Sequence, residues 1–257
     1  MKRAQYSAAA LMAATLLAGP AQAALQGRDL DGNLATFEAY YDTVLEITWL
    51  QDTRYAYTSG YDADGYMTWD EARTWTSGLS FYNPLTQETY GHWRLPQVRP
   101  VNGVAFLYTI APNGSADRGY NISEQGTPYA GSTGSEMAHL FYNTLDIKSL
   151  CDPALSTVVN CAPQGGTGLI NAPFNVDSQR GYYWSDTPYE VFSNRAWYFT
   201  IDGRQEDQGT GVQYNAWAVH PGDVGAVPEP QVYGLMLAGL GLICWRLRAS
   251  ARRPRGL

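Results

Sequence analysis

Lysine is almost missing from this chain: Lys2 and Lys148 are the only two in 257 residues. Histidine is scarce too. His92, His139 and His220 lie far apart and in no spacing, such as H-E-x-x-H, that puts two imidazoles on one metal. No G-x-S-x-G elbow presents a serine nucleophile, and no C-x-x-C pair presents a redox thiol. The lectin triplets Glu-Pro-Asn, Gln-Pro-Asp and Trp-Asn-Asp are absent. So are internal repeats and heptads, which sets aside solenoids and coiled coils. These absences leave catalysis without a motif, and the chain reads as a non-enzyme. They turn attention to what is abundant: glycine, tyrosine, tryptophan and acid.

The two ends carry the strongest patterns. Lys2 and Arg3 are followed by an apolar run from Ala8 to Ala18 and by the small-residue box Ala21-Gln22-Ala23. Basic residues, apolar run and cleavage box in that order read as a secretory signal peptide over residues 1–23. A buried first helix would be apolar as well, but needs neither the charges nor the box. At the other end, Val227-Pro228-Glu229-Pro230 breaks any preceding element, because each proline fixes φ and lacks an N–H. An apolar stretch from Val232 to Trp245 follows, and then Arg246, Arg248, Arg252, Arg253 and Arg255. Arginines flanking an apolar stretch hold that end in the cytoplasm. The stretch is shorter than the ~20 residues of a relaxed span, so a buried core helix is the alternative. Pro-Glu-Pro, short span and basic tail resemble the PEP-CTERM sorting signal of Gram-negative bacteria over residues 227–257. The resemblance implies Sec export, an inner-membrane-tethered precursor, and cleavage by an exosortase that sends the body to the cell surface or extracellular matrix.

Setting both ends aside changes the charge. Without Lys2, Arg3, the five tail arginines and Glu229, the 17 Lys+Arg and 24 Asp+Glu become 10 basic against 23 acidic residues, a net charge of −13. Such a body repels nucleic acid, anionic lipid and sulfated glycans. Neutral polymers and cations are the partners it admits. Of the three cysteines, Cys244 falls in the apolar tail, leaving Cys151 and Cys161 as an even pair in an oxidising compartment. A disulfide there closes a short loop and is worth about 2.5–3 kcal/mol by chain entropy.

Within the body, Thr43 to Leu50 reads as a strand and Thr68 to Leu79 as a helix, with Thr68 and Glu71 forming a capping box. Ser135 to Leu145 reads as a second helix with Met137, Leu140, Phe141 and Leu145 on one stripe. Gly181 to Ser185 begins a strand. Arg195 to Ile201, Asp202-Gly203 and Tyr214 to Val219 read as a late antiparallel run with a long connection. The glycine-, serine- and proline-rich stretch from Gln97 to Gln179 is expected to lie on the surface.

Five short segments then stand in a telling order: Leu45-Glu46-Ile47-Thr48-Trp49-Leu50, His92-Trp93-Arg94-Leu95-Pro96, Tyr183-Trp184-Ser185, Ala196-Trp197-Tyr198-Phe199 with Asp202-Gly203, and Ala216-Trp217-Ala218-Val219 with Gly222. Together they resemble the bacterial Lcl_C domain, the C-terminal module of a collagen-like adhesin, from about Leu45 to Asp223. The resemblance implies a single α+β, C-type-lectin-like domain over residues 24–226, with antiparallel strands and two main helices. It also implies adhesion or glycan binding. The adhesin takes sulfated glycans, which need basic side chains. This acidic body therefore keeps the fold and not the ligand, and a neutral exopolysaccharide fits it better.

Three groups of residues are candidates for contact. Asp62, Asp64 and Glu71 fall at positions 3, 5 and 12 of an EF-hand-like loop for calcium, with Gly65 at the turn, but Gly60 replaces the carboxylate at position 1. The alternative is an Asp/Gly turn feeding a capped helix, with Glu71 used by the capping box. Trp49, Trp93, Trp184, Trp197 and Trp217 sit in strand-like segments, where large aromatics fill cores. Tyr55, Tyr57, Tyr61, Tyr120 and Tyr129, in irregular segments, are better placed to touch a ligand. The expected function is thus an exported protein that binds or organises extracellular polysaccharide, in adhesion or biofilm. A secreted glycan-active enzyme and a structural coat protein are the alternatives.

The tail generates a first prediction. Replacing Glu229, or deleting the five tail arginines, should leave a full-length, membrane-held precursor on an immunoblot of cell fractions. Equal release of wild-type and altered chains into the medium would remove the sorting interpretation.

Overall fold

The computed structural model of the chain describes residues 25–166, 168–169, 173–176, 181–225 and 240. The signal box at Ala21 and Ala23 and the sorting segment with Pro228, Glu229, Pro230 and the arginine tail lie outside the described residues. Among the described residues, no helix is long and apolar enough to cross a membrane.

The architecture is α+β and mostly antiparallel. The strands β1 (Leu25–Arg28), β2 (Ala39–Asp42) and β3 (Ile47–Leu50) form a meander. Its far edge is taken by β13 (Val219–Pro221), the last strand described. Between them run α1 (Tyr55–Thr58), β4 (Tyr66–Met67), α2 (Trp69–Gly78), the ribbon β5 (Phe81–Asn83) with β6 (Glu88–Tyr90), β7 (Ile110–Ala111) and β8 (Arg118–Gly119). Next come α3 (Glu136–His139), β9 (Tyr182–Pro188), β10 (Arg195–Thr200), β11 (Gln205–Gly209) and β12 (Tyr214–Asn215). A second sheet has the order β4-β12-β9-β10-β11-β8-β7, parallel only at β12/β9 and β7/β8.

Several expected elements start or end elsewhere, for local chemical reasons. Residues 43–46 are a turn rather than strand: Asp42 Oδ1 accepts from the N–H of Val44 (2.9 Å) and Leu45 (3.0 Å), and Glu46 takes φ 54°. That Asx turn leaves Asp42 opposite Ile47 as the closing pair of the hairpin. The helix from Thr68 forms as read, with Thr68 as N-cap and the reciprocal capping box to Glu71 present. The second helix begins at its Ser135 cap, but after His139 it widens into a π-helical turn, Leu140–Thr144. Leu140, Phe141 and Tyr142 are all buried. Three consecutive residues span about 200° of an α-helix, so burying all three requires more than one face.

The late strands pair differently from the sequence reading. Thr200 to Arg204 makes the turn of a β10–β11 hairpin, and Tyr214 to Val219 pairs with neither. Instead β12 lies beside β9 and β4, and residues 216–218 carry the chain across to β13 in the other sheet. Trp217 sits at this crossover, its Nε1 donating to Leu50 O (2.7 Å) and its ring against Trp49 (4.8 Å), Phe174 (4.8 Å) and Tyr183 (5.7 Å). The five landmark tryptophans are all buried. The stretch from Gln97 onward is irregular but not wholly superficial, since Asp117, Asn121, Ile122, Ser149 and Cys151 are buried. Its backbone is satisfied by side chains: Asp117 accepts from Val101 N (2.6 Å) and Leu107 N (2.7 Å), and Asn121 donates to Pro112 O (2.6 Å) and Cys151 O (2.7 Å). Cys151 and Cys161 are bonded, with Cα atoms 5.1 Å apart.

Arg94 joins these parts. Its backbone exchanges hydrogen bonds with Val219 (2.9 and 2.8 Å), while its guanidinium makes two 2.7 Å bonds to the buried Glu136. Glu136 also accepts from Gln97 N (2.7 Å). Removing one member of such a pair strands the other. Glu136→Ala should therefore lower stability by about 3 kcal/mol, and the Arg94→Met/Glu136→Leu pair by clearly less. Equal losses in chemical denaturation would contradict that account.

Candidate functional site

The sheet register sorts the late aromatic residues onto two faces. Tyr182 lies opposite Thr200, and Trp184 opposite Tyr198. Side chains alternate along a strand, so these four share one face while Tyr183, Trp197 and Phe199 point into the core. Glu206, opposite Tyr198, joins the first face from β11. Tyr214 of β12 completes it, stacked on Tyr182 (5.1 Å, 17° between planes) and packed on Tyr198 (5.0 Å). Toward α2 this face is covered. Past Trp184 it opens, and Tyr182 is 43 % exposed.

A cleft of ≈ 330 Å³ lies there, lined by Tyr120, Gly181, Tyr182, Tyr198, Thr200, Ile201, Asp202 and Arg204. Gly181 is needed for close approach, since a Cβ on it would lie 2.3 Å from the Ile201 side chain. Polar groups around the cleft hold one another. Asp202 accepts from the Tyr120 hydroxyl (3.2 Å) and from the Thr200 hydroxyl. Glu206 accepts from Tyr198 (3.2 Å) and pairs with Arg204 (2.8 Å) and Arg118 (3.1 Å). On the other face of β11, opposite Trp197, Asp207 pairs with Arg118 (3.0 Å) and Arg195. Burial, with the Asp202 charge beside it, pushes the Tyr120 phenol up to about 12, and burial next to Glu206 raises Tyr198 further. Both phenols therefore stay protonated donors at any physiological pH. Around the cleft Asp202 and Glu206 are balanced by Arg204 and Arg118, so it is rich in hydrogen-bonding groups yet locally neutral.

A second cleft, ≈ 630 Å³, opens beside the meander. Phe37, Tyr40, Leu50, Tyr55 and Phe81 make its apolar surface, and Asp31, Glu38 and Asp52 its charges. Asp31 and Glu38, with the buried Asp29, form the one group of three carboxylates among the described residues with an oxygen from each within 4.8 Å of the others. Asp29 Oδ1 already accepts from Asp31 N (3.1 Å) and Gly32 N (2.7 Å), and Glu38 from Leu30 N (3.1 Å) and the Thr36 hydroxyl (2.6 Å).

The EF-hand-like residues are used locally. Asp62 Oδ1 accepts from Asp64 N (3.1 Å) and Gly65 N (2.8 Å), and Asp64 Oδ1 from Tyr66 N (3.0 Å). Glu71 Oε2 accepts from Thr68 N (2.9 Å) and its hydroxyl (2.7 Å). These bonds hold the Glu71 carboxyl below its ordinary value, the Thr68 hydroxyl contributing most. Of the tyrosines singled out earlier, Tyr120 lines the tyrosine cleft and Tyr55 the second one. Tyr129 lines a third with residues 99–104. Tyr57 lies under Arg54 (4.7 Å), and Tyr61 packs near Trp75 (6.4 Å) with its ring exposed. Tyr182 and Tyr198, which also line the tyrosine cleft, and Tyr214, packed behind them, are not among the tyrosines that the sequence singles out. The alternation of Tyr182 and Tyr198 against Trp197 was the available signal.

With Glu71 serving as a cap, melting curves of the wild type should superimpose with and without millimolar calcium, and Glu71→Gln should keep most of the cap. The carboxylate's contribution is present above its unfolded pKa, near the ordinary 4.5, and is lost as pH falls through the lower folded value. The acid side of the stability curve should thus flatten in Glu71→Gln. A wild-type melting temperature raised by calcium, with Glu71→Gln insensitive, would place a cation in the loop instead.

The chain matches no family model, no curated protein and no solved structure.

Proposed function

We propose that this is an exported protein, carried out by the Sec machinery and released at its PEP-CTERM-like tail by an exosortase. Its Lcl_C-like, C-type-lectin-like domain binds neutral extracellular polysaccharide at the cell surface or in the matrix. The observation that carries the binding half is the tyrosine cleft. A pyranose stacks its C–H face on an exposed aromatic ring and presents hydroxyls at the rim. Tyr182, backed by Tyr214, supplies such a ring, and Thr200, Asp202, Tyr120 and Arg204 supply donors and acceptors beside it. Since every arginine around the cleft already faces a carboxylate, an anionic sugar gains no free cation there. The body's net charge of −13 disfavours it further.

A glycan-active enzyme is less well supported by the same geometry. Glycoside hydrolysis needs one carboxyl free to give a proton and another facing the anomeric carbon or its water. Asp202 and Glu206 are each committed to hydroxyl or guanidinium partners.

Calorimetry against neutral and uronic-acid polysaccharides tests the reading. The wild type should bind a neutral polymer with an affinity unchanged by added salt. Tyr182→Ala should weaken it about tenfold, or ~1.4 kcal/mol, with the fold intact by circular dichroism. Preferential binding of anionic polymers, release of reducing ends, or an unaffected Tyr182→Ala would each overturn it.

A further inference from the structure

The two clefts differ in how their charge is met. Around the tyrosine cleft Arg204 and Arg118 offset the carboxylates. The cleft beside the meander has Asp31, Glu38 and Asp52 on its surface and no basic residue. None of these three, nor the buried Asp29 next to Asp31 and Glu38, pairs with a described basic residue. The phenols carry the same imbalance. Burial and the Glu38 charge raise Tyr40, burial and the Asp52 charge raise Tyr55, and no guanidinium lowers either one, as Arg204 does at Tyr120 and Tyr198. Apolar walls focus such a field into the cleft. Those walls are aromatic: Phe37 and Tyr40 form one pair (6.3 Å between ring centres), Tyr55 and Phe81 another (5.4 Å). Phe37 is 44 % exposed yet held, since its ring lies where a Cβ on Gly27 would come within 2.4 Å of it. Tyr40 is braced by the buried Phe174 (5.5 Å).

Fixed rings beside unpaired carboxylates are the two halves of an ammonium site. Ring faces attract a cation through their quadrupole, and carboxylates add charge-assisted hydrogen bonds. We propose that this cleft is a second binding site, for an organic ammonium, and that its occupant is an amine-bearing sugar unit of the extracellular polysaccharide. The ammonium lies among Asp31, Glu38 and Asp52, and the C–H face of the sugar lies on Phe37. A volume of ≈ 630 Å³ is that of a small-ligand site. A bare metal ion gains nothing from four aromatic rings, and oxygens it would need are already in use. Glu38 accepts from Leu30 N and the Thr36 hydroxyl, and Asp29 from Asp31 N, Gly32 N and Asn83 Nδ2. A neutral sugar would leave the carboxylates unmatched. The choice of a sugar as carrier of the ammonium rests on the reading of the tyrosine cleft, and the need for an ammonium does not.

Calorimetry on the exported protein, with a glucosamine tetrasaccharide and its N-acetylated counterpart, tests this. The free-amine form should bind, and should bind less tightly as salt is added. N-acetylation should weaken it at least about tenfold, as should Glu38→Gln, Asp52→Asn and Phe37→Ala, each with the fold intact by circular dichroism. Asp70→Asn removes the same charge from the exposed first turn of α2 and should leave binding unchanged, as should Tyr182→Ala. If neutral polymers fail to bind while this response is retained, the reading of the tyrosine cleft falls and the ammonium site stands. Equal binding of the N-acetylated form overturns the proposal. So does a loss in Asp70→Asn matching that in Glu38→Gln, or a loss confined to Tyr182→Ala. Calcium binding that is lost in Glu38→Gln and kept in Phe37→Ala would assign the carboxylates to a metal ion and overturn it too.

Discussion

The Arg94–Glu136 pair is the point at which the halves of this fold are fastened. Arg94 binds the meander through its backbone, at Val219, and α3 through its side chain. Glu136 returns the connection to the same segment at Gln97. An ion pair with one partner buried is stabilising only when its geometry is good and its remaining hydrogen-bonding capacity is filled. Both conditions hold here. Around this tie the two sheets close on Trp49, Trp217 and Tyr183, so that the strand carrying Tyr183 inward must carry Tyr182 outward. The open tyrosine face thus follows from how the core is closed.

Charge is handled in the same way throughout. The body is strongly acidic, yet its buried carboxylates are met by a guanidinium, a backbone N–H or, at Glu124, the Lys148 ammonium. Asp207 lies between Arg118 and Arg195, and Asp117 holds two loop amides. Arginine suits these places because its planar fork can serve two acceptors at once. Arg118 does so between Glu206 and Asp207. A domain that spends its arginines inside has few left for an anionic ligand. Its electrostatics and its cleft therefore point to the same class of partner.

What was legible in the sequence was local or compositional. The Thr68–Glu71 capping box spans three residues and needs no tertiary context. The cysteine pair follows from parity, and the burial of five tryptophans from their strand-like neighbours. What was hidden depends on distant partners. Gln205 to Gly209 is entirely polar and reads as loop, but it is a strand because Gln205 bonds Ser135 (2.6 Å) and Asp117 (2.7 Å), and Asp207 meets Arg118. The turn after Asp42 is set by one carboxylate that outweighs the β-branched residues following it. The tyrosine cleft depends on register across β9, β10 and β12, which no single segment specifies.

In the proposed complex a neutral sugar lies against Tyr182 with its hydroxyls toward Thr200, Asp202 and Arg204. A co-crystal structure with a neutral oligosaccharide addresses it most directly. One pyranose face should lie within stacking distance of Tyr182, with at least one hydroxyl bonded to Asp202 or Arg204 and the glycosidic bond intact. A sugar bound elsewhere with the tyrosine cleft empty, or a cleaved one within it, would rule out this mode of binding.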